Sequence, residues 1–330
     1  MIPQISILMP VRDAEDTLAA AVESVQAQTF ANWELMIVDD GSKDGTTALL
    51  EDLASRDARI VLLRQSPAGI AAALNHGLSV CRGNFIARMD ADDVMDTRRL
   101  ELQRRHLLGH AGCGLVSCLV KYGGTEPGYA AHVEWVNSLQ SYGMISLRRF
   151  VEAPVAHPSV MFRRELIASH GGYRSGDFPE DYELWLRWLE AGVSFDKVDE
   201  TLLIWNDPPT RLSRTDPRYS VEAFYAMKCG YLCRWLEAHA IGRDVWLWGA
   251  GRITRRRFDS LANVIGFIDV DESKRGRLRD GREVRLADDL PGKSESFILA
   301  GVGNRGAREQ IHAHLTTLGW EEGRDFLLVA

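Results

Sequence analysis

The sequence predicts an α/β protein: a mostly parallel sheet with helices on both faces, followed by a second, smaller α/β domain. Three observations predict it. Short apolar runs alternate with amphipathic segments through the first ninety residues, the pattern of successive β/α units. The runs are almost continuously apolar, as parallel strands covered on both faces are. The alternation lapses after about residue 120 and returns at "DVWLWGAGRITRRRF", where a new β/α unit starts.

Taken in order, "ISILMP" is a buried strand stopped by proline, and "AEDTLAAAVESVQAQ" carries Leu18, Val22 and Val25 at helical spacing. "WELMIVDDGS" is a strand ending in acid and a turn; "TTALLEDLAS" is helix and "RIVLLRQ" strand. "GIAAALNHGLSVC" is a helix expected to end at Gly83, and "NFIARM" is the strand that delivers Asp90, Asp92 and Asp93. Beyond it "KYGGTEPGY" reads as a loop and "PVAHPSVMFRREL" as an extended piece leading into a short helix. "FPEDYELWLRWLEAG" is a strong helix with Pro179 near its start and Gly192 past its end. Its Trp185 and Trp188, at helical spacing, read as core rather than as platforms for a ligand. "NDPPTRLSRTDPRYS" is a polar, proline-rich loop before the long helix "VEAFYAMKCGYLCRWLEAHA". The expected division is residues 1–215, a linking helix over 216–242 and a small Rossmann-like domain over 243–330.

Composition narrows the function. Apolar content of 45% and charged content of 26% are those of a globular protein, and 330 residues suffice for two domains. The formal net charge of -7 gives no bulk field for nucleic acid, which is excluded as a partner. The arginine clusters "RRLELQRRHLL" and "RITRRRF" read as solvated helix faces, with a phosphate or lipid-headgroup patch as the alternative. Five irregularly spaced cysteines argue against a disulfide framework and for reduced thiols in the cytoplasm. "MIPQISILMPV" lacks the basic start of a signal peptide, and no run reaches the length of a membrane span. Peripheral membrane contact and self-association stay open.

In open parallel sheets ligands bind beyond the carboxyl ends of the strands. The notable polar residues fall there: Pro10 to Asp13, Asp39 to Ser42, and Asp90 to Asp93. Residues two apart on a strand share a side, so Asp90 and Asp92 face one crevice if the strand geometry persists. Two unpaired carboxylates together lose ionisation unless a cation joins them. Mg²⁺ or Mn²⁺ takes oxygen ligands and completes its shell with water and substrate phosphates. The spacing therefore suggests a metal-bound nucleotide diphosphate, with a solvated capping turn as the alternative. For Asp39 and Asp40 the readings are a capped turn or contacts to a base or ribose. Glu180 and Asp181 open a helix whose dipole favours charge by at most about 1 kcal/mol, too little to decide between a cap and a functional acid.

Together these segments resemble the family 2 glycosyltransferases, which have the GT-A fold. "SILMPVRDAEDTLAAAVESVQAQTFANWELMIVDDGSKDGT" is similar to that family's opening nucleotide-binding segment, and "GIAAALNHGLSVCRGNFIARMDADD" to its middle, ending in D-x-D. "AHPSVMFRRELI" and "GGYRSGDFPEDYELWLRW" resemble its acceptor half, ending in the Glu-Asp motif; the likeness covers roughly residues 4–215. It implies an inverting, metal-dependent transfer of one sugar from a nucleoside-diphosphate sugar (UDP- or dTDP-linked) to an acceptor hydroxyl in bacterial surface-glycan assembly. The acceptor would be a glycan, a lipid-linked species or a protein. The resemblance places Pro10, Val11 and Arg12 at the base and ribose pocket, Asp40 on the base, Asp90 near ribose and metal, Asp92 on the metal, and Asp181 as general base. Glu15 takes the usual acidic position after the first strand. "PVRD" stands where the family commonly shows "PVYN", and the Q-x-x-R-W motif of processive synthases is absent, which implies transfer of a single sugar. His157 is a packed loop histidine or a contact to acceptor, diphosphate or metal. Arg211 and Arg214 lie where the family often closes a loop over the diphosphate. The rival readings are a nucleotidyltransferase, for which "PVRDAED" is the wrong phosphate loop, and a non-catalytic nucleotide-sugar sensor.

In the second domain "WGAG" follows a strand, and Asp269 lies eighteen residues after Gly251, near dinucleotide-fingerprint spacing. Thr254 occupies the third glycine position and breaks the pattern. "GVGNRG" is a second glycine turn after a strand. A structural or subunit-contact role is expected, with anion or nucleotide binding as the alternative.

Overall fold

A computed structural model of the chain describes residues 2–208, 211–304 and 306–330. Its contacts divide the chain into two units, Met1–Ile145 with Val155–Asp216, and Ser146–Pro154 with Pro217–Ala330.

The first unit holds one eight-stranded sheet: β1 (Ile5–Val11), β2 (Trp33–Asp39), β3 (Ile60–Arg64), β4 (Phe85–Arg88), β5 (Val94–Met95), β6 (Cys113–Tyr122), β7 (Met161–Arg163) and β8 (Ser194–Trp205). The spatial order is β3-β2-β1-β4-β7-β6-β8-β5. β3, β2, β1 and β4 are parallel, as the apolar alternation predicts. The extended piece before residue 165 becomes β7 and inserts antiparallel between β4 and β6. β6 therefore runs in the direction of β4, and β8 pairs with it in parallel. The sheet is mixed and mostly parallel.

The first helix, Leu18–Gln26, buries Leu18, Val22 and Val25 against a core of Ile5, Ile7, Met9, Leu35 and Ile37. The helix Ile70–Val80 stops at Cys81, whose backbone is extended, and not at Gly83. Gly83 has another task. A Cβ there would lie 2.5 Å from the Ser6 amide nitrogen, so only glycine lets this turn approach β1. Trp185 and Trp188 are fully buried, edge to face with each other, and Trp185 also meets Phe195, which makes them core. The arginine cluster on the helix Arg99–Gly109 is not wholly solvated. Arg99 is fully buried, donating to the Arg88 carbonyl at 2.8 Å and to Gln103 at 3.1 Å. Gln103 donates to the Ser159 carbonyl at 2.7 Å.

The second unit carries β9 (Asp244–Trp248), β10 (Val264–Asp269), β11 (Leu278–Arg279), β12 (Arg282–Leu286), β13 (Ser296–Ala300) and β14 (Phe326–Leu328), in the order β11-β12-β10-β9-β13-β14. All pairs but β11–β12 are parallel, a doubly wound arrangement with its switch point between β9 and β13. The helix Val221–His239 belongs to this unit. Its fully buried Lys228 donates to the Val329 carbonyl at 2.8 Å and the Val151 carbonyl at 3.4 Å. That bond, with the Arg148–Glu322 ion pair, explains why residues 146–154 group with the second unit. The five cysteines are free thiols, four of them buried. Among the described residues no helix is long and apolar enough to cross a membrane.

Candidate active site

β4 runs out at Arg88, and the next turn carries the acids. Oxygens of Asp90, Asp92 and Asp93 lie within 4.8 Å of one another. Asp93 is fully buried; one carboxylate oxygen accepts from the Asn206 amide at 2.8 Å. The other is buried with no hydrogen-bond partner. Asn206 also donates its side-chain amide to the Asp92 carbonyl at 2.6 Å, so the end of β8 pins the acidic turn. Burial, then the charge of Asp90, pushes Asp92 up to about 6. Burial, then Asp90 and Asp92, pushes Asp93 well above the carboxylate range. An orphaned buried oxygen among crowded acids is costly as it stands. Three hard oxygen donors on one turn fit a divalent cation.

Arg88, buried beneath this turn, forms an ion pair with Asp90, while its Nε finds no hydrogen-bond partner. Its field reaches further. Burial lowers the pKa of His157 well below its usual value, and Arg88 lowers it more, so the imidazole is neutral. His157 Nε2 lies 2.7 Å from the Tyr173 hydroxyl, and its ring meets Trp185 edge-on. Asp181, half-buried in the first turn of the helix Glu180–Glu190, accepts from the Tyr182 amide at 2.7 Å. Burial raises its pKa, against the pull of that hydrogen bond and of Arg88 and Arg211. Glu180, beside it, is buried.

Arg211 packs on the Trp205 ring at 4.6 Å and the Tyr129 ring at 5.1 Å, bonded to the Tyr129 hydroxyl. Burial pulls its pKa down, but Tyr129, Asp90, Asp93 and Asp92 together raise it above its ordinary value. Arg214 pairs with Asp207, which Arg211 also approaches at 3.9 Å and which accepts from the Tyr122 hydroxyl at 2.8 Å. Pro209 and Thr210 of this loop lie outside the described residues.

At the other strand ends, Pro10 and Val11 close β1, and the Val11 carbonyl accepts from the Asp40 amide at 2.9 Å. The Asp40 carboxylate is buried and takes hydrogen bonds from Gln65 at 2.7 Å, Ala68 at 2.8 Å and Gly69 at 2.9 Å. It braces the loop after β3, and three of about four acceptor positions are used. Exposed Arg12 approaches Asp40 at 3.9 Å and Asp13 at 3.8 Å. Glu15 accepts from the Gly45 amide and ties the first two strand-end loops together. Asp90, Asp92, Asp181, His157 and Arg211 thus share one electrostatic environment, while Asp40 and Arg214 are engaged with neighbours. Sequence reasoning placed Asp93 in the acidic cluster but gave it no role of its own, and it missed Arg88 and Asn206. An arginine inside the apolar run "FIARM" was the available signal for Arg88; nothing local marks Asn206.

The glycosyl transferase family 2 profile matches residues 6–171. The chain belongs to this family. The Bacillus subtilis protein named glycosyltransferase EpsE is 31% identical over 225 residues, 67% of this chain and 79% of that protein. An Escherichia coli UDP-Gal:alpha-D-GlcNAc-diphosphoundecaprenol beta-1,3-galactosyltransferase is 29% identical over 61% of this chain and 73% of its own length. Among solved structures, a mannosyltransferase from Pyrobaculum calidifontis in complex with GDP-Man and Mn²⁺ aligns with a TM-score of 0.53 at 18% identity, covering 74% of this chain and 66% of that one. The fold of this glycosyltransferase is GT-A, and sugar transfer is its activity.

Proposed function

We propose that this family 2 glycosyltransferase moves a single sugar from a UDP- or dTDP-sugar to an acceptor hydroxyl in bacterial surface-glycan assembly, inverting the anomeric carbon. The observation that carries the reading is the acidic turn after β4, with its unpartnered Asp93 oxygen in the field of Arg211, which also reaches Asp181. Asp92, with Asp90 and Asp93, would hold Mn²⁺ or Mg²⁺. A bound cation supplies Lewis-acid stabilisation of charge on the departing diphosphate. Arg211 adds a guanidinium suited to the same phosphates. Pro10, Val11 and Arg12 border the base, with Asp40 shaping that pocket through the loop it braces. Asp181 accepts the proton of the acceptor hydroxyl, and burial, by raising its pKa, makes it a stronger base than an exposed carboxylate. Neutral His157 and buried Glu180 position the acceptor, and Arg214 steadies the loop through Asp207. Attack from the face opposite the leaving diphosphate needs no covalent intermediate. This chemistry resides within residues 1–215; the helix expected to link over 216–242 packs as part of the second unit, which with 243–330 is a non-catalytic module with a structural or subunit-contact role. The acceptor is lipid-linked, in keeping with the Escherichia coli relative's diphosphoundecaprenol substrate, and is met from the cytoplasmic side by peripheral contact.

Calorimetric titration of a nucleoside-diphosphate panel with and without Mn²⁺ tests this. One diphosphate should bind only with the cation present, and that binding should vanish in Asp92→Asn. Metal-independent binding of every member would overturn the reading.

A further inference from the structure

A second group of metal-ligating side chains lies at the opposite end of the same sheet. β6 runs parallel to β4, so Cys113, its first residue, sits at the end of the sheet away from Asp90. Beside it lie His106, on the helix Arg99–Gly109, and Asp196, on β8. One ligand atom from each lies within 4.8 Å of the other two. His106 Nε2 is 3.0 Å from Asp196 Oδ2. The Cys113 thiol is buried and donates to the Leu115 carbonyl at 3.1 Å, a bond that its proton's release would free.

Two features show that this convergence is built into the fold. The β6–β8 register slips between Cys113 and Leu115, a bulge that re-aims the strand's first side chain. Gly114 makes it possible, because a Cβ there would lie 2.5 Å from Val193 Cγ1. The buried part of the turn is then clamped by Arg163, whose guanidinium donates to the carbonyls of Cys113 at 2.8 Å, Leu107 at 2.6 Å and His110 at 3.3 Å. The backbone joining His106 to Cys113 is therefore held before any ligand arrives.

Imidazole nitrogen, thiolate and carboxylate are the donor types that zinc takes, with metal–ligand distances of about 2.0–2.3 Å in a tetrahedron. The hard oxygen cluster at Asp90 suits Mg²⁺ or Mn²⁺; a sulfur- and nitrogen-bearing one does not. We propose that His106, Cys113 and Asp196 form a zinc site, separate from the transferase centre, with water as fourth ligand. The ion binds Nε2 of the neutral imidazole, one Asp196 oxygen and the Cys113 sulfur; the thiol proton is released to solvent, so binding strengthens as pH rises. It would staple the helix Arg99–Gly109 to β6 and β8. That helix carries Arg99 and Gln103, which support the backbone beneath Arg88.

Cobalt(II) is the probe, because a thiolate ligand gives it an intense near-ultraviolet charge-transfer band that an all-oxygen site cannot. In metal-stripped full-length protein that band should saturate with one equivalent of Co²⁺ bound here, apart from any ion on the oxygen cluster, and Zn²⁺ should displace it. Cys113→Ser should abolish the band, and Cys118→Ser should leave it. His106→Gln and Asp196→Asn, at partly exposed positions, should each weaken binding about 10-fold or more. Absence of the band, or its persistence in Cys113→Ser, overturns the proposal. Should Cys113→Ser fail to fold, an unchanged cobalt concentration for half-maximal band intensity in both other variants overturns it as well.

Discussion

The ends of β4 and β10 do the same thing with opposite results: each places an aspartate where a parallel strand gives out. After β4 the acidic turn is left unbalanced: Asp90 pairs with Arg88, but one buried oxygen of Asp93 has no partner. After β10 the acid is closed on its own surroundings. Asp269 accepts from the amides of Ala250 and Asp271, each at 3.0 Å, and from Lys274 at 2.9 Å. The glycine turn it meets is also filled, since Thr254 Cγ2 lies 2.9 Å from where a Cβ on Gly249 would sit. Position at a strand end therefore does not make a ligand site. The electrostatic account left open by the fold makes it, and the second unit has settled its account internally.

The largest effect expected from this contrast is at the open end. Asp92→Asn should lower turnover by about 10³ or more, since cation charge stabilisation is worth several kcal/mol. Steady-state transfer at saturating Mn²⁺ measures it, and a loss under tenfold would place the cation elsewhere. Next comes Asp181→Asn, expected to cost about 10²–10⁴ in the chemical step with donor affinity within a few fold. Single-turnover transfer beside donor titration separates the two, with Glu180→Gln as control. A heavier loss in the control would move the base to Glu180.

The third prediction concerns pH. Burial raises Asp92 to about 6 and lifts Asp93 as well, so the folded protein without a cation holds these protons more tightly than the unfolded chain. Its stability accordingly falls as pH rises from the ordinary carboxylate value of 3.8 through about 6. A cation binds the ionised form and offsets that loss. The rise in melting temperature caused by Mn²⁺ should thus be full near pH 7.5 and mostly gone near pH 5; equal rises at both would refute the crowding of these acids. The smallest effect belongs to the closed end. Asp269→Ala should cost about 1–3 kcal/mol locally and leave donor affinity unchanged. Faster hydrogen exchange at the Ala250 amide reads it directly, and weakened donor binding would reveal a role in the site.

Much of this was legible in the sequence for physical reasons. Strands buried on both faces are written as apolar runs, so β1 to β4 and the acids ending β4 could be read locally, as could the helix carrying Asp181. What escaped depends on long-range pairing. Asn206 reaches Asp92 and Asp93 across more than a hundred residues. Asp40 looked free to meet a base because its partners, Gln65, Ala68 and Gly69, lie on another loop. Arg99 resembled its solvated neighbours in "RRLELQRR", and nothing in a helical pattern says which arginine turns inward. The antiparallel seat of β7 was equally invisible, because three extended residues carry no direction.

That seat of β7 has a consequence for the order in which the protein is made. β4 emerges from the ribosome with one neighbour, β1, already synthesised. Its other neighbour does not exist until residues 161–163 are made, and the acidic turn is not pinned until Asn206 follows. The nascent chain therefore carries its carboxylates at the end of an edge strand until residues 161–163 are made. A product released by a stop codon after residue 93 and before residue 206 would own Asp90, Asp92 and Asp93 and still lack the scaffold that gathers them.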